Sequence, residues 1–562
     1  RAAAGSEWES GQRVPVDSDG WPRRAPFQVN GGEHYPHTLM PLYAPGVYTV
    51  RFRGAGRIEL IAPNGGGRQV IASAGGTTEK KLRFNPTLTD NVLYLELRAS
   101  SAAEPVRDIE VVAPGQDTEL QSKPFHPTFV ASLAPYKTLR FMDWMKTNLT
   151  ALERWDQRTK RASYTQTRHN GVAHEYVIAL ANQTRKSPWI CIPHAADDDY
   201  VRRTARLYRD TLDPKLKLYV EYSNETWNGA FVAADYVQVR GQALGLDADR
   251  WMAGQKFVAK RSAEIFRTFA QEFGTAQRGR LVNVLATQAA NLGVTTQRLD
   301  AMDDPRINPA RVKPDAIAIA PYFGVNYEPG DPVPTAAQVA TTLSQATIRE
   351  SLAWTRAQRA VARARGLRLV CYEGGQHFVG ILGAENNGSL TSALHAGNRD
   401  PRMQDRYREY FAGLEREGVD LFVNFTHVGG WTQWGSWGVL EHQRQSPSRA
   451  PKWRALVQWH RMITSPTARI TSPSRLVGAT YRLKAKVADD VRPVRVRYRL
   501  KGPTARGYGL WISRNLDSKE KVQTWSDRIK LGRLGLWSIQ IQAFDGGGKR
   551  SRLQTVEVNR IR

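Results

Sequence analysis

Two glutamates stand where they could share one reaction. Glu225 lies in KLYVEYSNETWNGAF (217–231) and Glu373 in LRLVCYEGGQH (367–377). Each ends an apolar run and is followed at once by polar or glycine residues, so each is expected at a strand end. Two carboxyl groups facing one another across a cleft can divide glycosidic cleavage. One protonates the leaving oxygen and the other attacks the anomeric carbon or activates water, with separations of roughly 5–5.5 Å for retention and roughly 6.5–9.5 Å for inversion. A single glutamate at a strand end is ordinarily solvated or salt-bridged. The pair, with Asn224 beside one member, is what points to chemistry. Glu221, inside the same run, is expected to form a structural ion pair, with Arg140 as its partner.

Such a pair has to be positioned by a sheet. From about residue 125 apolar runs alternate with helical stretches. The runs are 138–144, 188–194, 217–225, 280–288, 316–323, 367–375 and 420–430, and the helical candidates include 171–185, 198–212, 250–274 and 347–366. Alternating β and α implies a parallel sheet, and at this length a (β/α)8 TIM-type barrel. Seven runs leave the barrel one strand short. If the Glu225 run is the fourth strand, the first lies upstream of residue 1 or within residues 1–24. Carboxyl ends of barrel strands ring one pocket. In order they carry Arg140 and Asp143; His194; Asn224 and Glu225; Gln288; Tyr322; Glu373, Gln376 and His377; and Asn424, His427, Trp431, Trp434 and Trp437. Aromatic faces stack on sugar rings while amides and carboxylates bind hydroxyls, so this rim suits a carbohydrate.

SNETWN at a fourth strand end and CYEGG at a seventh resemble the clan A (β/α)8 glycoside hydrolases. The resemblance spans about 340 residues, and its strength lies in the order of the motifs. It implies a retaining double displacement with Glu225 as acid/base and Glu373 as nucleophile, and with no metal or organic cofactor. It further implies Asn224 as a ligand of the sugar 2-hydroxyl, Tyr322 as the partner of Glu373, and Trp434 or Trp437 as a sugar platform. Thr226 departs from the proline found after the acid/base in the commonest families. The fuller runs VEYSNETWN and YEGGQH also resemble bacterial secreted proteins labelled cellulose-binding. An acid at position 225 requires a raised pKa, with the charge of Glu373 as one cause.

Other candidates have plainer readings beside the functional one. Arg140, His194, Gln288 and His377 are expected to bind substrate, though both histidines serve equally well as structural groups. Asp197, Asp198 and Asp199 precede a helix, where capping explains them more simply than a metal. Cys191 and Cys371 read as buried thiols.

The chain has 562 residues and a formal net charge of +27, which fits two to four domains and an acidic partner. Short strands with turn residues place a β-sandwich at 25–118, inserted after the first barrel strand, with residues 1–24 irregular and barrel-associated. The barrel follows at 119–465 and a basic Ig-like β-sandwich at 466–562. From Arg469 onward there are 22 Lys+Arg against 7 Asp+Glu. In YRLKAKV and VRVRYRLK the cations Arg482, Lys484, Lys486, Arg495, Arg497 and Arg499 alternate with apolar residues, so each strand has one wholly basic face. Such faces discourage edge-to-edge pairing; they also suit an acidic polysaccharide, lipopolysaccharide or cell envelope. Charge alone would admit nucleic acid, but no recognition helix or RNA-binding motif accompanies it, and the barrel rim is poor in lysine. No apolar run is long enough for a transmembrane span. The polar opening without Met is expected of a trimmed product, secreted, periplasmic or envelope-associated. The alternative to a hydrolase is a non-catalytic barrel that binds glycan or envelope.

Overall fold

The computed structural model describes residues 14–561 except 43, 88–89, 117–123, 168–169, 464–466, 489–492, 517–521, 546–549 and 552. The chain forms two compact units, Arg1–Asp331 with Thr342–Gly388 and Gly413–Gly438, and Pro332–Thr341 with Ser389–Ala412 and Val439–Arg562. Among the described residues no helix is long and apolar enough to cross a membrane.

The first unit is built on a seven-stranded parallel sheet. In spatial order its strands are Leu421–Phe422, Arg368–Cys371, Ala316–Ile319, Leu281–Ala286, Leu218–Tyr222, Ser187–Ile192 and Thr138–Arg140. Every neighbouring pair runs parallel, so each connection is a crossover. Helices such as His174–Thr184, Asp198–Thr211, Arg250–Gln277 and Ser344–Ala364 make those crossovers. Side chains alternate between two cores. Ile190, Ile192, Leu218, Val220, Ile317 and Leu369 pack on the helices, while Trp189, Val282, Val284, Ala318, Val370 and Tyr372 form a second cluster on the other face. Burial on both faces is why the runs are continuously apolar.

The closed eight-stranded barrel is not what the described residues form: they give seven strands and an open sheet. Residues 14–24 do not supply the eighth. Trp21 instead sits in the core of the N-terminal sheet, and its Nε1 donates to the Ala162 carbonyl at 3.1 Å. Residues 1–13 lie outside the described residues. At the open edges, side chains rather than a backbone ladder make the link: the His427 ring hydrogen-bonds with Ser132 Oγ at 2.8 Å and Tyr136 OH at 3.1 Å.

The N-terminal β region holds a hairpin, Phe27–Val29 with Gly32–His34, and a five-stranded antiparallel sheet of His37–Pro41, Gly46–Ile61, Arg68–Phe84, Val92–Ser100 and Arg107–Val112. Its central strand, Gly46–Ile61, changes partner halfway, pairing with Val92–Ser100 at one end and Arg107–Val112 at the other. That switch lets a single sandwich-like sheet surround Tyr48, Phe52, Ile58, Leu60 and Leu95.

In the second unit, sheets of three strands (Thr467–Ile470, Thr480–Ala488, Val522–Lys530) and five strands (Arg475–Leu476, Gln554–Arg560, Gly535–Asp545, Pro493–Lys501, Ile512–Asn515) share one core. Leu483, Val487, Val496, Tyr498, Trp525 and Ile541 fill it.

Candidate active site

The strand Leu218–Tyr222 ends in a turn that the backbone adopts with difficulty. Ser223 and Glu225 both have positive φ, +56° and +41°, a region that costs roughly 1–3 kcal/mol for residues with a Cβ. Several contacts hold it. Ser223 N donates to the Ile192 carbonyl and Asn228 N to the Glu225 carbonyl, both at 2.8 Å. Arg298, almost wholly buried, donates to Thr226 Oγ1 at 2.9 Å, to the Ala286 carbonyl at 2.6 Å and to Gln255 Oε1 at 2.8 Å. The Glu225 carboxylate accepts from Asn228 Nδ2 and Tyr372 OH, each at 2.8 Å.

Glu373 follows the strand Arg368–Cys371 and accepts from Arg140 Nη1 at 2.6 Å and Tyr322 OH at 3.0 Å. Arg140 is the hub. Its Nη2 also donates to Asn224 Oδ1 at 2.8 Å, and its Nε and Nη2 donate to Glu221 at 2.9–3.0 Å. Glu221 is fully buried and takes further bonds from Trp189 Nε1 at 2.8 Å and Cys191 Sγ at 3.4 Å. The Arg140–Glu221 ion pair expected from the sequence is present, and the same guanidinium also grips Glu373. One cation therefore serves two buried carboxylates, with the charge of Glu225 acting on the same site.

The electrostatics follow from that surplus. Burial pushes the Glu373 carboxyl up to about 7; Arg140 pulls it back, the charge of Glu225 adds to the rise, and the Tyr322 hydroxyl opposes it. Burial likewise raises Glu221 against the pull of Arg140. Glu373 thus carries a strongly raised pKa at the end of its strand. Interacting carboxyls titrate as a pair, so the proton held into the neutral range belongs to both.

Glu225 and Glu373 line one cavity of about 530 Å³. Asn224, Tyr322, Gln288, His377 and Trp437 line it too. The His377 Nδ1 lies 3.1 Å from Asn326 Oδ1, its ring packs against Tyr322 and Trp437, and burial lowers its pKa, favouring the neutral ring. The Asn224 amide is largely engaged by protein: Oδ1 accepts from Arg140, and Nδ2 donates to Asn148 Oδ1 at 3.0 Å.

Three expected residues, Arg140, His194 and Trp434, do not line the cavity. Arg140 touches its lining through Glu373 and Asn224. His194 does not line it; its ring packs on Tyr236 and its carbonyl accepts from Tyr222 OH at 2.9 Å. Trp434 is 62% exposed and lies outside the lining, leaving Trp437 as the aromatic wall from that segment. The aspartates at 197–199 face different partners. Asp197 caps the helix through Tyr200 N at 2.6 Å, Asp198 pairs with Arg261 at 2.6 Å, and Asp199 pairs with Arg203 at 2.8 Å.

Sequence reasoning passed over Tyr372, Asn228, Asn148 and Arg298. Asn228 carries a legible signal, three residues after Glu225 within one turn. Tyr372 does not, because its target lies 147 residues away. Nor does Arg298, which reads as an ordinary cation on a helix.

No protein-family model matches the chain, and no curated protein matches it significantly. Among solved structures it is similar to β-glucuronidase 3 of Bacteroides uniformis, with 10% identity, TM-score 0.31, and coverage of 94% of this chain and 63% of that one. It is similar to the endo-1,4-β-xylanase XylE of Penicillium canescens, with 12% identity, TM-score 0.31, and coverage of 52% and 82%. It is also similar to the PKD domain of an M14-like peptidase from a Thermoplasmatales archaeon, with 16% identity, TM-score 0.14, and coverage of 18% and 99%. Likenesses this distant leave the functional reading to rest on the site.

Proposed function

We propose that the protein is a glycoside hydrolase acting on a polysaccharide by a retaining, two-glutamate mechanism. The observation that carries this reading is the presentation of Glu225 and Glu373, from the ends of two strands of one sheet, to a single aromatic-walled cavity, each carboxylate held by a tyrosine hydroxyl. The two carboxyls are differently equipped. Glu373 accepts from a guanidinium and a phenol, an arrangement that orients an anion for attack. Glu225 accepts from an amide and a phenol, and among the described residues no guanidinium bonds to it.

In the reaction Glu225 delivers a proton to the glycosidic oxygen as the bond to the anomeric carbon breaks. Glu373 attacks that carbon and forms a glycosyl ester. Glu225, now ionised, takes a proton from water, which attacks the anomeric carbon and releases Glu373. The competent enzyme carries one proton on the pair, in keeping with the raised Glu373 pKa. Trp437 and His377 form the wall against which a sugar ring lies.

The test is reducing-end release from a panel of neutral and acidic polysaccharides, with Glu225→Gln and Glu373→Gln as controls. Release lost in both variants, with the first product formed in the substrate's anomeric configuration by NMR, is the expected result. Release that survives both substitutions overturns the assignment, and an inverted product overturns the nucleophile role of Glu373. Binding of glycan without any release would instead favour a non-catalytic glycan-binding protein.

A further inference from the structure

The C-terminal sandwich carries an organised row of arginines. Arg495, Arg497 and Arg499 project from one face of Pro493–Lys501, spaced about 6.8 Å apart along an extended strand. They do not extend freely into solvent. Arg495 lies over Phe544 at 4.5 Å, Arg497 over Trp511 at 4.2 Å and Phe544 at 4.9 Å, and Arg499 over Trp511 at 4.5 Å and Tyr508 at 4.8 Å. Cross-strand amides fix two of them. Arg497 Nη2 donates to Gln542 Oε1 and Arg499 Nε to Gln540 Oε1, each at 2.8 Å.

Among the described residues the row is not balanced by anions: no carboxylate pairs with any of the three, whereas Arg514 on the neighbouring strand pairs with Asp527 at 2.9 Å. Arg497 Nε is buried with no hydrogen-bond partner. Burial and the charges of Arg550, Arg495 and Arg499 lower the Arg497 pKa. Cations needed only for solubility would stand apart in water. The opposite sheet shows that arrangement: Arg482, Lys484, Lys486 and Arg528 are exposed on alternate positions.

We infer that this face binds a carboxylated polysaccharide, the choice of polymer resting on the glycan reading proposed for the cavity. A guanidinium held over a ring can still offer N–H groups for pairing with a carboxylate. A row of three suits an extended polymer bearing acid groups at intervals, and the Gln540 and Gln542 amides lie beside them for hydroxyls. A single-stranded nucleic acid would need uncovered aromatic faces for its bases, and here Trp511 already carries two guanidinium groups.

Affinity electrophoresis of the full-length Glu373→Gln protein through polygalacturonate tests this, with neutral xylan, a single-stranded oligothymidylate and anionic phospholipid vesicles as comparisons. Retention by polygalacturonate, weakening with salt, is expected. The Arg497→Gln/Arg499→Gln pair should weaken it about tenfold or more, while Lys484→Gln/Lys486→Gln, which removes the same charge from the other sheet, should change it less than about twofold. If the glutamine pair melts early, Arg497→Lys/Arg499→Lys replaces it: it keeps the charge and should still weaken retention, because an ammonium lacks the planar fork. Equal losses from both sheets, no loss from the arginine pair, unchanged retention by the lysine pair, or arginine-dependent capture of the oligonucleotide or vesicles in place of polygalacturonate would each overturn the inference. Failure of the hydrolase reading looks different, as retention by polygalacturonate with no polysaccharide cleaved by the wild type.

Discussion

Replacing Glu373 with glutamine should abolish activity and yet stabilise the protein at alkaline pH relative to acid pH. The native Glu373 carboxyl is raised from 4.5 to about 7 by burial beside an excess of negative charge. The unfolded chain releases that proton near the ordinary carboxylate value, so between the two values the folded state binds more protons than the unfolded one. Stability contributed by the group is then fully present below about 4.5 and lost as pH rises through about 7. At about 1.4 kcal/mol per pH unit, this window amounts to ~3 kcal/mol. Glutamine keeps the shape and cannot ionise, which removes the slope. Urea unfolding of wild type and Glu373→Gln at pH 4.5 and pH 8 measures the effect. The variant should gain ~3 kcal/mol on the wild type between the two conditions, whatever constant the lost Arg140 contact adds to both. A relative gain below about 1 kcal/mol, or a loss, would refute the claim that Glu373 is held against its charge.

Three further outcomes follow from the same geometry. The alkaline limb of kcat/KM should fall near pH 7, where the shared proton leaves, and Tyr322→Phe should move it upward because a donor to the charged Glu373 is gone; a pH–rate profile with an unmoved limb would contradict this. Arg298→Met should cost about 3 kcal/mol or more of unfolding free energy, since it strips partners from Thr226, Gln255 and the Ala286 carbonyl in a buried site; a melt shift within error would show that the Glu225 turn does not depend on it. Trp437→Ala should raise KM about tenfold for the cleaved polysaccharide through loss of the stacking wall, whereas Trp434→Ala, exposed and outside the cavity, should leave kinetics near wild type; equal effects would dissolve the distinction between them.

Much of the architecture was legible because burial leaves a pattern. Continuous apolar runs such as PWICI and AIAI mark a sheet covered on both faces, and YRLKAKV marks one covered on a single face; both patterns recur in the strands. The Arg140–Glu221 pair was also legible, since a glutamate inside an apolar strand needs a cation. Closure of the sheet was not. Strand count depends on which segments find ladder partners, and the described residues supply seven. His194 shows another limit: a strand-end position suggests the rim, but whether a side chain turns to the cavity or to the helix layer depends on a local backbone angle that residue type does not encode.

Composition and order alone determined that the chain is α/β with flanking β regions, that Glu225 and Glu373 end two strands, and that the basic charge gathers toward the C-terminus. These follow from local propensities and solvent partition, which act residue by residue. Only the tertiary structure decided that Arg140 bridges Glu221 and Glu373, that Tyr372 reaches Glu225, and that three arginines lie on aromatic rings. Those features are distances between residues far apart in the chain, and the energies that depend on them, burial and Coulomb interaction above all, exist only once the fold has brought the groups together.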